Sequence, residues 1–418
     1  MTDRGETFFP VGANVCWASK AGTYDYDRWL PRYAAAGANY WRAWLAPQWM
    51  TFSLNTPASG YDRIDLRTPG SSSARCSSQN SWACASWPAS TAFNIIRSKS
   101  RQHGIWEDTP YLQANGGPLA EPREYFTNAE MLRAFRERLR YLVARFGYST
   151  AIFAWEFWNE VDIIDQYDSE AVTAWHQQMA RHLRSIDPWQ HLITTSTARP
   201  AGDPRLDALP ELEFVQTHHY GAKDMARDLG ADRESKAAAQ DRPHFLGEFG
   251  IGHSGSDTRQ TDPTGIHLHN GLFSCVGQMQ AGTPMTWWWD SYVDPQNLYP
   301  IYASFVAWID GFDFVAQHAR PLPAKVVMDP SQPPRRVTEP IAPQVATWEP
   351  HPVNQPVTVT IDAAGRIGGV EKLAKAMHGL HNHPTLHNPV TFQMEVPEAC
   401  EFGVRIDGVS GHGGRIWW

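Results

Sequence analysis

The sequence lacks any long apolar segment. Across its 418 residues no uninterrupted apolar run approaches the roughly 18 residues that a membrane-spanning helix requires, and the mean hydropathy is -0.45. We therefore expect a soluble protein with no membrane partner.

The sequence also lacks an excess of basic side chains. Lysine and arginine together number 36, against 44 aspartates and glutamates, which gives a formal net charge of -8 at pH 7. A nucleic-acid binder needs a basic face that displaces counterions from phosphates. This balance argues against nucleic acid as a partner.

Cysteine is scarce, and the five residues are Cys16, Cys76, Cys84, Cys275 and Cys400. Their number is odd, and their spacing is too scattered for a disulfide framework or a paired zinc knuckle. The opening residues Met-Thr-Asp-Arg-Gly-Glu-Thr lack the charged and then apolar pattern of a signal peptide. We expect an export signal to be absent from this chain or already removed.

Tryptophan, in contrast, is abundant. The chain has 19 Trp, more than its 18 Phe or 14 Tyr. An ordinary core does not need so many indoles, whereas their flat apolar faces can stack on sugar rings. The composition therefore favours a protein that binds carbohydrate.

From about residue 8 to 315, short aromatic or β-branched runs alternate with longer segments of helical period. This alternation predicts an α/β fold in which a parallel sheet is surrounded by helices. Seven strands are predicted, one short of a (β/α)8 TIM barrel: Phe9–Cys16, Asn39–Leu45, Ile152–Glu160, His191–Ser196, Phe214–Tyr220, His244–Phe249 and Pro284–Asp290. Two amphipathic helices are predicted, one from Asn128 to Gly147 and one that Pro188 ends.

The missing strand should lie between residues 60 and 110. Residues Arg67 to Thr91 contain eight Ser in 25 residues and show neither a helical nor a strand period. This anomalous segment is either a long surface insertion or a replacement of helix 2 and strand 3 by unrelated sequence. Since serine-rich sequence does not make the apolar run of a buried strand, we expect no full central strand in Arg67 to Thr91 and weak local structure.

The character of the sequence changes after residue 320. Residues Pro321 to Pro356 contain ten prolines and predict a semi-rigid linker. Alternating runs at Val357–Ile361, Val390–Val396 and Phe402–Ile406 then predict a small β-sandwich-like module over residues 357–418. The chain ends in an apolar run, which suggests that this module is truncated. The predicted domains are therefore a barrel over residues 1–320, a linker over 321–356 and the module.

Two glutamates are predicted at the carboxyl ends of opposite strands. Glu160 ends the fourth strand, where alternation also turns Glu156 and Trp158 inward, and Glu248 ends the seventh strand. Active sites of barrels form at this end of the strands. Two facing carboxyl groups suit glycoside hydrolysis, in which one protonates the leaving oxygen and the other attacks the sugar or activates water.

Three motifs together resemble those of the clan A glycoside hydrolases: Trp158-Asn159-Glu160, His218-His219-Tyr220 and Gly247-Glu248-Phe249. Within that clan the chain is most similar to family 5, the cellulase and mannanase family. The similarity covers about residues 8–315, except for the anomalous segment. It makes a secreted or periplasmic location an expectation.

The resemblance implies a role for each matching residue. Glu160 is then the acid/base and Glu248 the nucleophile, while Asn159 donates a hydrogen bond to the 2-hydroxyl of the substrate. Arg42 on the second strand matches the arginine that keeps the nucleophile ionised. Arg42 could instead neutralise only Glu156, and we expect a network that joins it to both Glu156 and Glu248.

The resemblance also implies the substrate-binding residues. His218 and Tyr220 match a His-x-Tyr motif whose tyrosine hydroxyl reaches the nucleophile. Trp287 and Trp289, from the run Trp287-Trp288-Trp289, match the platform on which the sugar stacks. The family takes further residues from strand 3, where this chain has serine-rich sequence.

A histidine cluster near the carboxyl terminus offers a different chemistry. Its members are His378, His381, His383 and His387, whose spacing suits metal ligands. They lie among Gly379, Asn382 and Pro384, which are typical of a loop, so we interpret them as loop histidines without a metal.

The sequence therefore predicts a retaining glycoside hydrolase that acts on oligosaccharides or polysaccharides with β-linked mannan or glucan chains and needs no cofactor. A carbohydrate-binding barrel with impaired catalysis is the alternative, and a metal-dependent hydrolase is a third. We expect the carboxyl groups of Glu160 and Glu248 about 5 Å apart, as in retaining enzymes. We also expect the pKa of Glu160 to exceed that of Glu248, with activity highest at mildly acidic pH. The sequence does not indicate an oligomeric state.

Overall fold

The protein is described by a computed structural model that covers residues 8–46, 54–65, 85–222, 224–236, 242–252, 255–314, 354–363, 366–374, 377–380 and 383–395. The chain divides into two compact units, Met1–Pro323 and Ala324–Trp418. In the part of the chain that the structure describes, none of the helices is long and apolar enough to span a membrane.

The first unit alternates strands and helices. Its strands are β1 Gly12–Asn14, β2 Tyr40–Trp44, β3 Ala85–Ala92, β4 Ala154–Asn159, β5 Leu192–Thr194, β6 Val215–Tyr220 and β7 His244–Gly250. Its helices are α1 Tyr24–Ala35, α2 Ala129–Phe146, α3 Ser169–Ile186, α4 Pro204–Asp207, α5 Met225–Ser235, α6 Gly255–Thr261, α7 Ile266–Gly277 and α8 Tyr299–Ile309. The order is that of repeated β/α units, as the sequence predicts.

Backbone hydrogen bonds join eight parallel segments into a closed ring. Strands β1 to β5 pair in chain order, and β6 pairs with β7. The two sheets meet where the Glu213 amide donates to the Ile193 carbonyl at 3.0 Å. The segment before Trp287 closes the ring, because Met285 N donates to Leu246 O at 3.0 Å and Asn14 N donates to Thr286 O at 3.2 Å. This is the ring of a (β/α)8 barrel.

The eighth segment is shorter than predicted. Instead of a strand over Pro284–Asp290, it makes one parallel bridge to β7, between Thr286 and Phe249. The chain then turns into a π-helix at Trp289–Val293. Backbone hydrogen bonds to β7 run on both sides of this bridge, from Phe249 N to Met285 O and from Trp287 N to Phe249 O, so a short segment closes the ring instead of a full strand.

The prediction that Arg67 to Thr91 lacks a central strand is wrong for its last part. β3 begins at Ala85 and pairs with β2 along five residues and with β4 at three. The Ser86 hydroxyl donates to the Ala151 carbonyl and the Ser90 hydroxyl to the Phe157 carbonyl, so both buried hydroxyls have backbone acceptors. Serine is tolerated in this strand because its polar group is hydrogen-bonded. Residues 66–84 lie outside the described residues.

Aromatic side chains fill the barrel below its mouth. A buried cluster contains Tyr40, Trp87, Phe214, Phe245 and Met285. Trp87 from β3 is fully buried and meets Phe214 edge-on, with ring centroids 5.1 Å apart. This layer fills the barrel interior below the polar residues Arg42, Glu156 and Glu248.

The two predicted amphipathic helices are confirmed as α2 and α3. Asn128 caps α2 by accepting hydrogen bonds from the amides of Glu130 and Met131, and Asp168 caps α3 in the same manner. Side-chain caps of this kind satisfy amides that have no partner within the helix. The buried faces of both helices pack on the barrel.

The second unit contains a small sheet. Its strands are β8 Val357–Ile361, β9 Ile367–Gly368 and β10 Val390–Met394, in the order β10-β8-β9. β10 runs parallel to β8, and β9 runs antiparallel to it. The predicted strands at Val357–Ile361 and Val390–Val396 are thus present, the second ending at Met394. The linker at 321–353, the strand at Phe402–Ile406 and the sandwich architecture lie outside the described residues and stay predictions.

Candidate active site

The site is built on carboxyl groups at the ends of β4 and β7. Glu248 lies on β7 and is 3% exposed, and Glu160 directly follows β4. Glu160 adopts the left-handed backbone conformation, with φ 53° and ψ 51°, which is uncommon for a residue other than glycine. The Ser196 hydroxyl accepts a hydrogen bond from the Glu160 amide at 3.0 Å and helps to hold this conformation.

Arg42 connects the acidic residues of the site. Its guanidinium binds both carboxylate oxygens of Glu156, with Nε at 2.7 Å and Nη2 at 2.8 Å, and donates from Nη1 to Glu248 at 2.8 Å. Nη2 also donates to Asn159 Oδ1 at 2.6 Å. The predicted network with Glu156 and Glu248 is therefore present. The paired carboxylates offset the burial of Arg42, which is 0% exposed.

Tyr220 and His218 lie between the two catalytic candidates. The Tyr220 hydroxyl donates to Glu248 Oε2 at 2.7 Å. His218 Nδ1 is hydrogen-bonded to Glu160 Oε1 at 2.9 Å and lies 3.5 Å from Glu248 Oε2. Glu160, His218 and Glu248 each place one of these atoms within 4.8 Å of the others. The two carboxyl groups therefore face each other at short range.

The surroundings shift the pKa values of this group. Burial raises the pKa of Glu160 to about 8, and the charge of Asp162 acts in the same direction. Burial also raises the pKa of Glu248, whereas contacts with His218, Arg42 and Tyr220 act against this rise. Burial lowers the pKa of His218 to about 4, so its ring is neutral near pH 7.

Comparison with known proteins finds relatives of one kind. Residues 117–294 match the family model described as Cellulase (glycosyl hydrolase family 5). A probable mannan endo-1,4-beta-mannosidase A-2 from Aspergillus terreus is 25% identical over 210 residues, which cover 47% of this chain and 48% of that protein. A probable mannan endo-1,4-beta-mannosidase F from Aspergillus oryzae is 22% identical over 284 residues, 59% of this chain and 58% of that protein. The chain spans about half the length of these curated relatives.

Solved structures share the fold. An endo-1,4-beta-mannanase from Rhizomucor miehei superposes with a TM-score of 0.55 at 14% identity, over 72% of this chain and 96% of that one. An endo-beta-1,4-mannanase from Thermotoga petrophila gives 0.54 at 14% identity, over 74% of this chain and 79% of that one. Residues 117–294 of the chain therefore resemble glycosyl hydrolase family 5, and the fold is that of these two mannanase structures.

Asn159 has an incomplete set of hydrogen bonds at the end of β4. Its carbonyl oxygen accepts from Arg42, but its buried Nδ2 has no hydrogen-bond partner among the described residues. A buried donor without a partner is costly. A substrate hydroxyl could therefore pair with it, as the sequence predicts.

Sequence reasoning missed Asn14, which completes the polar layer. Its Oδ1 accepts from Arg42 Nη1 at 3.2 Å, and its Nδ2 donates to the carbonyls of Gly247 and Met285 at 3.0 and 2.9 Å. Asn14 thereby ties β1 to β7 and to the closing segment beside Glu248. The signal was present in the sequence, because Asn14 is a polar residue within the apolar run from Val11 to Cys16.

The prediction that Trp158 points into the barrel is wrong. Its ring contacts Tyr125 and Phe126, with centroids 5.1 and 5.4 Å away, and Trp175 on α3. Trp158 therefore packs outside the barrel, while its neighbour Asn159 turns inward to Arg42. Alternation fails here, because the consecutive residues Phe157 and Trp158 both contact Trp175.

The platform prediction needs a correction at Trp289. This residue is 0% exposed, and its ring packs against Trp17 and Trp29, so it has no face for a sugar. Trp287 is 8% exposed. Trp288 is partly exposed, and its Nε1 donates to the Gly252 carbonyl at 3.0 Å, so it is the better platform candidate of the three.

The carboxyl-terminal histidines do not form a convergent site in the described residues. His387 Nδ1 is hydrogen-bonded to the backbone carbonyl of His378 at 2.9 Å. Rings of His378 and His383 meet edge-on at 5.6 Å, and His381 lies outside the described residues. Within the described part of the chain, three side-chain ligand atoms come together only at Glu160, His218 and Glu248. The metal-dependent hypothesis has no geometric support there.

Proposed function

We propose that the protein is a retaining glycoside hydrolase that cleaves β-1,4-linked mannan by double displacement. The observation that carries this proposal is the short distance between Glu160 and Glu248, since one carboxylate oxygen of each lies within 4.8 Å of the other. Retaining enzymes separate their two carboxyl groups by about 5–5.5 Å, whereas inverting enzymes need roughly 6.5–9.5 Å to admit a water molecule.

The surroundings of each glutamate suit one role. Glu248 attacks the anomeric carbon, and Arg42 and Tyr220 stabilise its anionic form by donating hydrogen bonds to it. Glu160, whose pKa of about 8 keeps it protonated near neutral pH, gives its proton to the departing glycosidic oxygen. In the second step Glu160 takes a proton from water, and the resulting oxygen nucleophile displaces Glu248 from the sugar.

Asn159 supports the same assignment. Its buried amide is a free donor beside Arg42 and the end of β4, where the sugar ring must lie to meet both glutamates. Hydrogen bonds to the sugar 2-hydroxyl that strengthen in the transition state contribute several kcal/mol in such enzymes. We assign this contact to Asn159.

The choice of mannan over glucan rests on the relatives. Two of them carry names of mannan endo-1,4-beta-mannosidases. Because the match covers only about half of each relative, the choice of substrate needs a direct test. Purified protein is incubated with β-mannan and with cellulose, and new reducing ends are measured. Release of reducing ends from mannan supports the proposal. Release from cellulose alone would show that the substrate is a β-glucan rather than a β-mannan.

Glu248→Gly and Glu160→Ala test the two roles. Glu248→Gly should lose turnover, and azide should restore it with an α-glycosyl azide, because the anion occupies the vacated side. Glu160→Ala should spare substrates with good leaving groups and give a β-azide, since only acid assistance is lost. Glu137→Ala, at an exposed position of α2, is the control. An α-configured first product from the unaltered enzyme, read by proton NMR, would overturn the nucleophile assignment.

The alternative of a binding barrel with impaired catalysis rested on the loss of strand 3. Since β3 pairs with both neighbours, that reason no longer favours it. Binding of mannan without release of reducing ends would still select this alternative.

A further inference from the structure

Asp162 lies two residues after Glu160, in the short turn Val161–Ile163. Its side chain is almost completely buried, and the residue is 5% exposed. The carboxylate accepts hydrogen bonds from the backbone amides of Ala198 at 2.6 Å and Arg199 at 3.2 Å. Asp162 therefore joins the turn after β4 to the loop after β5.

Two further bonds connect the same segments. The Glu160 amide donates to the Ser196 hydroxyl at 3.0 Å, and the Val161 amide donates to the Ser196 carbonyl at 3.1 Å. Together with the Asp162 contacts they hold Glu160 in a left-handed conformation, which persists only where the surrounding structure fixes it. The orientation of the Glu160 carboxyl group thus depends on both Ser196 and Asp162.

The charge of Asp162 acts on the Glu160 carboxyl group, and Asp162 has little countercharge of its own. Arg199 Nε lies 4.0 Å from Asp162 Oδ2, but the Arg199 side chain is 73% exposed, so solvent weakens this pair. Burial raises the pKa of Asp162, and the amides of Ala198 and Arg199 act against that rise by stabilising the charged form.

Other charged groups surround these two acids. The charged and titratable groups around Glu160 are Arg42, Arg97, Glu156, His218, Glu248 and Asp162. Those around Asp162 are Glu160, Arg199, Tyr167 and Asp207. Lys236 forms an ion pair with Asp207 at 2.9 Å and neutralises the charge of that carboxylate. Among these groups Arg42 and Arg97 favour the charged form of Glu160, whereas Asp162 and, to a smaller extent, Glu156 oppose it.

We propose that Asp162 is a positioning residue for the acid/base: it fixes the backbone turn of Glu160 through the amides of Ala198 and Arg199 and keeps a negative charge beside the Glu160 carboxyl group. The proposal rests on the proposed function of Glu160. In the first step, this charge favours the protonated form that the leaving oxygen needs. Asp162 itself does not touch the substrate.

Asp162→Asn is the main test. The amide oxygen still accepts a backbone hydrogen bond, but the charge is gone, so Glu160 should release its proton more easily. We expect the alkaline limb of the kcat/KM profile on mannan to move to lower pH by about half a unit or more, with the acid limb unchanged. The pKa of Glu160 should fall by the same amount in carboxyl-selective NMR of the free protein.

Two matched variants test the direction in which the alkaline limb of the kcat/KM profile moves. Asp165→Asn removes a carboxylate from the same loop that is already paired with Arg101, and it should leave the alkaline limb in place. Arg97→Gln removes a positive group near Glu160 and should move the alkaline limb to higher pH. Asp162→Ser, which is also neutral, repeats the measurement if Asp162→Asn folds poorly.

The NMR titration separates this proposal from the proposed function. A protein without activity on any β-glycan contradicts the hydrolase assignment, while the Glu160 titration still reports on Asp162. An unchanged Glu160 pKa and an unmoved alkaline limb in both neutral variants would overturn the role of Asp162. A loss of kcat with no shift of the limb would reduce Asp162 to a structural contact and overturn the electrostatic role.

Discussion

The two carboxyl groups of the site differ in the donors that reach them. Glu248 accepts from the Tyr220 hydroxyl at 2.7 Å and from Arg42 at 2.8 Å. Glu160 is bonded to His218, whose ring is neutral, and lies beside Asp162. Donors stabilise a charged carboxylate, whereas a neighbouring negative charge destabilises it. This difference suits Glu248 to the proposed role of nucleophile and Glu160 to that of acid.

Tyr220→Phe tests the donor at Glu248. The hydroxyl lowers the pKa of Glu248, so its removal should raise that pKa. Because the proposed nucleophile Glu248 acts as an anion, activity should then be lost at a higher pH as the solution is acidified. We expect the acid limb of the kcat/KM profile to move to higher pH by about half a unit to one unit.

Tyr141→Phe is the control for this experiment, because Tyr141 lies on α2 and packs against Phe146 rather than at the mouth. Its profile should coincide with that of the unaltered protein. An acid limb that stays in place or moves to lower pH in Tyr220→Phe would contradict the assignment of Glu248 as the ionised partner.

Individual site residues were predictable where a polar group interrupts an apolar strand. Arg42, Glu156 and Glu248 stand out in this way, and the structure joins all three. Trp158 was not predictable, because strict alternation applies only while a strand stays regular. Its outward packing follows from contacts with Tyr125, Phe126 and Trp175, which leave no periodic signal in the sequence.

At the scale of elements, β3 shows how polar composition can mislead. A strand covered on both faces normally reads as a continuous apolar run. In β3, Trp87 alone supplies a large interior side chain, while Ser86 and Ser90 return their hydroxyls to backbone carbonyls. Hydrogen bonding of this kind depends on neighbours in space and leaves no periodic signal. Helices α2 and α3 were predictable because their period and caps are local.

Trp87→Ala tests whether this single indole sustains β3. Trp87 is fully buried among Tyr40, Phe214 and Phe245. Its removal leaves a cavity in the barrel, and the free energy of unfolding should fall by about 3–5 kcal/mol. Denaturant unfolding followed by circular dichroism gives this difference.

Trp189→Ala is the matched control, since Trp189 is 51% exposed. Its removal should change the free energy of unfolding by no more than about 0.5 kcal/mol. Equal effects of the two substitutions would show that Trp87 does not hold the strand. Hydrogen exchange across Ala85–Ala92 adds a local readout, because amides in a stable β3 should be protected.

At the scale of the whole molecule, the order of the ring was predictable from repeated local signals. Each β/α unit carries its own pattern, and parallel crossovers of one hand leave few arrangements. The conformation of the closing segment was not predictable. The run Trp287-Trp288-Trp289 is typical of a strand, but it leads into a π-helix. Its only bridge to β7 is at Thr286 among the described residues. Ring closure therefore depends on contacts such as those of Asn14 rather than on local propensity.

Acid stability should reflect histidines that the fold keeps neutral. Burial lowers the pKa of His176 to about 4 and that of His244 to about 3. In the unfolded chain both take up a proton near pH 6.5, whereas in the folded protein they do so only at much lower pH. Their contribution to stability is complete above pH 6.5 and is lost as the pH falls toward these values.

The raised pKa values of Glu160 and Glu248 have the opposite effect, because they favour the folded state as the pH falls. The variant His176→Gln separates the contribution of one histidine from this effect. His176 bonds to the Val172 carbonyl and the Thr195 hydroxyl, so its replacement should destabilise the protein most at pH 7.5. The difference in the free energy of unfolding between the unaltered protein and His176→Gln should shrink by about 2–3 kcal/mol on going from pH 7.5 to pH 4.5. Only the unaltered protein contains His176 and loses its contribution to stability over this range. Trp189→Ala, which removes no titratable group from a half-exposed position, should give a difference that is constant with pH. If the His176→Gln difference were equally constant, the buried ring would not be the group whose protonation opposes folding.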